Sequence, residues 1–113
     1  MKRQQPERAL QSTVCKWLDK ALPSGTWYSA IPGGNRSVTT TPGYRSGTPD
    51  LLIVHQGRAI FIELKAARKS ATKHQRDIHA ELTLSGALVA TVRSLDDAYN
   101  FLSLIVKLRA KPQ

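Results

Sequence analysis

Several things are scarce in this chain. It has one cysteine, Cys15, among 113 residues. An internal disulfide framework and a cysteine-rich zinc site are thereby excluded. Acids are few: 8 Asp and Glu stand against 17 Lys and Arg, a formal charge of +9. No apolar run approaches the roughly 18 residues that a membrane span requires, so no membrane segment is expected. The opening stretch MKRQQPERAL has a basic start with nothing apolar behind it and does not read as a secretory leader. A reducing, cytoplasmic setting is the expectation. Internal repeats and low-complexity tracts are missing too.

What is present suffices for one folded domain, expected to span residues 1–113. Apolar residues make up 41% of the chain, and its 7 glycines bring the share near the globular average. A pI of 10.2 in so small a domain points to a polyanionic partner. Nucleic acid is the partner that such a charge usually serves. Excess lysine as a mere aid to solubility is the alternative.

Periodicity gives the order α-β-β-β-α-β-α. Leu10, Val14, Trp17, Leu18, Ala21 and Leu22 recur at helical spacing after Pro6, and Pro23-Ser24-Gly25 ends that helix. A β-prone run, 26–31, follows. Residues 32–49 are dense in Gly, Pro, Ser and Thr and read as a long loop. DLLIVH (50–55) and AIFIEL (59–64) read as a hairpin, apolar enough to be buried on both faces. Helix-forming residues run from about Thr72 to Leu84, with ALVATV (87–92) as the last strand. Ser94 and Asp97 form a weak capping box for a final helix from Leu95 to about Leu108, after which LRAKPQ frays. The expected fold is an α/β domain with a mixed sheet flanked by helices.

Two acids stand out from the rest. Asp50 opens one hairpin strand, and Glu63 sits late in the other, inside the apolar run IFIEL. Antiparallel pairing about a turn at Gln56-Gly57 sets them almost directly opposite each other. Lys65, two residues after Glu63, projects to the same face. Two carboxylates and an ammonium at one sheet end are costly to bury without a reason. A hard divalent cation, Mg²⁺ or Mn²⁺, supplies one, because it takes oxygen ligands and needs only one or two carboxylates. It can polarise a phosphoryl oxygen, while Lys65 orients water or neutralises developing charge. The plainer alternative is a surface ion pair of Lys65 with either acid. The apolar surroundings of Glu63 favour the cation.

Gly47-Thr48-Pro49-Asp50, twelve further residues, then Glu63-Leu64-Lys65 resembles the signature of the PD-(D/E)XK nuclease superfamily. The longer string 47–75, with Gly47 and the downstream Gln75, is similar to its virus-type replication-repair nuclease branch, VRR-NUC, most strongly over residues 47–80. The resemblance implies a restriction-endonuclease-like core. It also implies a metal site of Asp50, Glu63 and the Leu64 backbone carbonyl, with Lys65 at the attacking water. Glu7 matches an acid that such proteins often add to the metal site; its place in a first helical turn has an ordinary dipole explanation as well. Gln75 would face the site from its helix, or else be an exposed helix residue. Some members of this family are small single-domain phage proteins that resemble Holliday-junction resolvases in their dimeric build, which implies a phage- or bacterium-encoded homodimer acting on branched DNA.

The expected nucleic-acid contacts are basic. KAARKSATKHQR supplies Arg68, Lys69, Lys73 and Arg76 directly after the hairpin, and the long loop adds Arg36 and Arg45. On the final helix, Phe101, Leu104 and Leu108 form a second apolar stripe, expected to bury against another subunit. His74 and His79, five apart, share no helix face well and read as structural, as does Cys15. Trp17 and Trp27 read as core or interface. The functional expectation is a Mg²⁺- or Mn²⁺-dependent endonuclease acting on branched DNA. The rivals are a non-catalytic DNA-binding module, an RNA-directed nuclease and a sequence-specific duplex cutter.

Overall fold

The computed structural model describes residues 5–32 and 41–113. The element order is the expected one: α1 (Gln5–Ala21), β1 (Thr26–Ala30), β2 (Leu51–His55), β3 (Arg58–Leu64), α2 (Lys73–Leu84), β4 (Leu88–Val92) and α3 (Leu95–Leu102). The strands form one sheet in the order β1-β2-β3-β4. The first three are antiparallel neighbours, and β4 lies parallel to β3, so the sheet is mixed as expected.

The β2–β3 hairpin fixes everything that follows. Its two-residue turn has Gln56 at φ 50° and Gly57 at φ 77°, the left-handed pair that matches strand twist. That turn sets the register Leu51↔Ile62 and Ile53↔Ile60. One further step puts Asp50 opposite Glu63, and the Asp50 N–H donates to the Ile62 carbonyl at 3.1 Å.

One face of the sheet is closed. Leu51, Ile53, Ile60, Ile62, Leu64 and Val92 meet Val14, Trp17, Leu18 and Ala21 of α1 and Ala98 and Leu102 of α3. Trp17 also sets its ring edge-on to Tyr99, 6.2 Å between centroids. The other face differs from expectation. Leu52, Val54 and Phe61 on it are half-buried, not buried, because α2 packs over the β4 side of the sheet and leaves the hairpin side partly open. Trp27, on the edge strand β1, is 59% exposed and belongs to no core.

The two later helices start at good caps. Thr72 accepts from the Gln75 N–H while the Gln75 side chain accepts from the Thr72 N–H, a reciprocal capping box. Ser94 accepts from the Asp97 N–H, and the Asp97 carboxylate takes the Arg93 N–H at 2.9 Å.

The chain after α3 corrects the sequence reading twice. The helix ends at Leu102, not near Leu108. Turns at 103–106 then bring Val106 into the core. Nor does the tail fray: Arg109 N–H donates to the Ala21 carbonyl at 2.7 Å, and Trp17 Nε1 donates to the Ala110 carbonyl at 3.2 Å. The proposed second stripe is therefore not one helical face. Phe101 and Leu108 pack against the chain's own core, and Leu104 alone stands 84% exposed. No described helix is long and apolar enough to cross a membrane.

Candidate active site

The open end of the β2–β3 hairpin gathers charge. Among the described residues, Glu63 and Lys65 are the buried charged side chains, 3% and 7% exposed. Both sit at the end of β3, held between β2 and β4, where the Lys65 N–H donates to the Val92 carbonyl at 3.0 Å. Asp50 is half-buried across from them. Its Oδ2 accepts from the Leu64 N–H at 2.7 Å, which aims the carboxylate toward β3.

Burial raises the Asp50 pKa, and the Leu64 N–H opposes the rise only in part. Glu63 is pushed up to about 8, first by burial and then by the Asp50 charge and a hydrogen bond shared with that carboxyl. The Lys65 charge pulls both acids down, without reversing the rise. Two acids that resist ionising side by side, facing a cleft, form an arrangement that a cation would relieve.

Helix α2 grips Glu63 from above. Gln75 Nε2 donates to Glu63 Oε2 at 3.3 Å, and His79 Nε2 lies 3.3 Å from Oε1. Gln75 does two jobs with one amide, since its oxygen closes the helix cap at Thr72. A glutamate would also close that cap, but only glutamine adds a donor for Glu63. Burial lowers the His79 pKa, and the Lys65 charge lowers it further. Gly47 presses the preceding loop onto the same helix. It has φ 89°, and a Cβ there would meet His74 Cδ2 at 3.0 Å and Ile78 Cγ1 at 3.2 Å.

Glu7 comes in from the first turn of α1. Its Oε2 accepts from the Ala66 N–H at 3.1 Å, and its charge raises both Asp50 and Glu63. Among the described residues, no three His, Cys or acidic side chains make a metal cage by themselves. The donors that do converge are oxygens, the chemistry of a hard cation that keeps several waters.

A cleft of about 970 Å³ opens over this end. One wall is α1, through Glu7, Arg8 and Gln11; the other is the loop at Tyr44, Ser46 and Thr48; Asp50, Glu63 and Leu64 form the floor. A smaller cavity, about 390 Å³, lies under the carboxy-terminal segment and has no acidic lining.

The structure thus brings Glu7, Asp50, Glu63, Leu64, Lys65 and Gln75 to one place. The basic candidates stand outside the cleft. Arg68 and Lys69 are exposed on the turn after β3, which Arg93 pins by donating to the Ala66 carbonyl at 2.8 Å. Lys73 pairs with Asp77 at 2.9 Å, Arg76 donates to the Ala71 carbonyl at 2.8 Å, and Arg45 is exposed. Arg36 lies outside the described residues. Two residues escaped the sequence reading. Arg8 lines the cleft with Gln11, three residues further along the same helix. His79 was judged by its distance from His74, whereas the informative spacing is the four residues back to Gln75.

No family model and no curated protein matches the sequence. Among solved structures, the chain is similar to a "VRR_NUC domain protein" with a TM-score of 0.70 and 20% identity, covering 86% of this chain and 84% of that one. It is also similar to a "VRR_NUC domain" with a TM-score of 0.63 and 24% identity, covering 88% and 96%. The chain has the fold that these proteins share.

Proposed function

We propose that this protein is a divalent-metal-dependent endonuclease that hydrolyses DNA phosphodiester bonds in the cytoplasm of a bacterial or phage-infected cell. The observation that carries the reading is the pair of half-buried Asp50 and buried Glu63 on the floor of a cleft, with Lys65 buried at the same sheet end. The fold supports it, since similar solved chains are called VRR_NUC domain proteins.

Asp50, Glu63 and the Leu64 carbonyl would hold Mg²⁺ or Mn²⁺, which when bound supplies a Lewis acid at the scissile phosphate. The Leu64 N–H holds the Asp50 carboxylate against the end of β3, beside Glu63. Gln75 holds one oxygen of Glu63 and so fixes which lone pairs face the cleft. Lys65, buried at the same sheet end, would neutralise charge that builds on the phosphoryl oxygens or orient the attacking water. Glu7 supports the end of β3 through the Ala66 amide and adds negative charge that acts on Asp50 and Glu63. Arg8 in the cleft wall, with Arg68, Lys69 and Arg45 outside it, would take the flanking phosphates.

Branched DNA as substrate follows from the likeness of the signature to small resolvase-like members. Paired cuts would need two copies of the chain, and Leu104 is an apolar residue free to join them. The test is cleavage of labelled single strand, duplex, flap and four-way junction, with and without Mn²⁺ or Mg²⁺, for the native chain and Glu63→Ala. The expected outcome is metal-dependent cutting that falls by at least about 10²–10³-fold in the variant. Junction binding without cutting in either metal would instead make the protein a binding module.

A further inference from the structure

We infer that His79 is a positioning residue that holds the Glu63 carboxylate in its cation-binding orientation, acting with Gln75 as a two-point clamp from α2. The inference rests on the metal-site reading above.

Glu63 is a long side chain with a competing alternative. It already shares a hydrogen bond with Asp50, and it can collapse onto Lys65, which lies two residues away on the same face. That collapse would turn its oxygens from the cleft and occupy the one buried ammonium among the described residues. Something must hold the side chain against it.

The holding comes from a different element. Gln75 and His79 lie one helical turn apart, on the same side of α2, and each addresses a different oxygen of Glu63: Nε2 of Gln75 to Oε2, Nε2 of His79 to Oε1, both at 3.3 Å. To ligate a cation Glu63 must be ionised and then has no proton to give, so in that state the second contact requires the His79 Nε2–H as donor. Two donors on two oxygens fix the plane of the carboxylate, which one donor alone leaves free to rotate. The helix carrying them is itself located by the capping box at Thr72 and by the close approach of Gly47 to His74 and Ile78. Each carboxylate oxygen has a further lone pair, so Glu63 can keep its clamp and still ligate. Outer partners of ligating carboxylates act in this way, and their loss costs about 10–100-fold in metal affinity.

The test is Mn²⁺ binding to the full chain without DNA, followed by calorimetry or by the loss of the free-ion paramagnetic signal. The proteins are native, His79→Phe, which keeps a flat ring and removes the donor, and His79→Gln, which restores a donor. Melting temperatures confirm folding, and His79→Leu replaces the Phe variant if that one melts early. The expected result is affinity at least about tenfold weaker for His79→Phe and within about threefold of native for His79→Gln. Equal affinity in all three would overturn the inference, leaving His79 as packing. Equal weakening in both variants would also overturn it, because the ring and not its donor would then matter. Failure of the native chain itself to bind Mn²⁺ would remove the metal-site reading, and this inference with it.

Discussion

The two ends of the β2–β3 hairpin are built to opposite rules. At the middle and turn end, Ile53 and Ile60 pair across the strands, fully buried against α1, and a two-residue Gln-Gly turn follows the strand twist. Apart from the left-handed backbone at Gln56, local preferences agree with the fold there. At the open end, the same two strands bury Glu63 and Lys65 and set Asp50 beside them. That end opposes stability: burial raises both acids, and the Asp50 charge raises Glu63 further. Sites that break local rules while their surroundings obey them are where function is expected.

The contrast can be broken from the stable end first. Ile60→Ala removes a fully buried side chain from the centre of the core. It should cost about 2–5 kcal/mol of stability by chemical denaturation, with Mn²⁺ affinity preserved while the chain stays folded. Gly47→Ala tests the seam between the two regions. The left-handed backbone at Gly47 and the contacts to His74 and Ile78 should together cost about 1–3 kcal/mol. Because Gly47 seats the loop on α2, cutting should also weaken, and a denaturation curve beside a cleavage rate checks both.

Much of this was legible in the sequence, for identifiable reasons. The two-residue turn at Gln56-Gly57 sets the register, so the meeting of Asp50 and Glu63 could be read without coordinates. The helix and strand order followed from periodicity and from Pro and Gly punctuation. The end of α3 was not legible, because LSLIV continues the apolar spacing past Leu102. What ends the helix is long-range: Val106 is wanted in the core, and the Arg109 amide finds the Ala21 carbonyl at the other end of the chain. The expectation of hairpin strands buried on both faces failed similarly, since apolar content does not say which side of the sheet α2 covers. The clamp on Glu63 was half legible: Gln75 came from the signature, and His79 required knowing that Gln75 faces inward.

The difference between the two hairpin ends has a direct thermodynamic signature. With Glu63 raised from 4.5 to about 8 in the folded chain, the folded state keeps a proton that the unfolded chain releases across that window. Stability in a chelator should therefore fall as pH rises through it, the reverse of a salt-bridged acid. A cation that binds only the folded state restores stability by mass action. The measurement is thermal melting at the upper end of this window, in chelator and in Mn²⁺, for the native chain and Glu63→Gln. The native chain should melt higher with Mn²⁺, and Glu63→Gln should melt above native in chelator and respond little to the metal. Identical melting of native protein with and without Mn²⁺ would contradict the assignment of the hairpin's open end as a cation site.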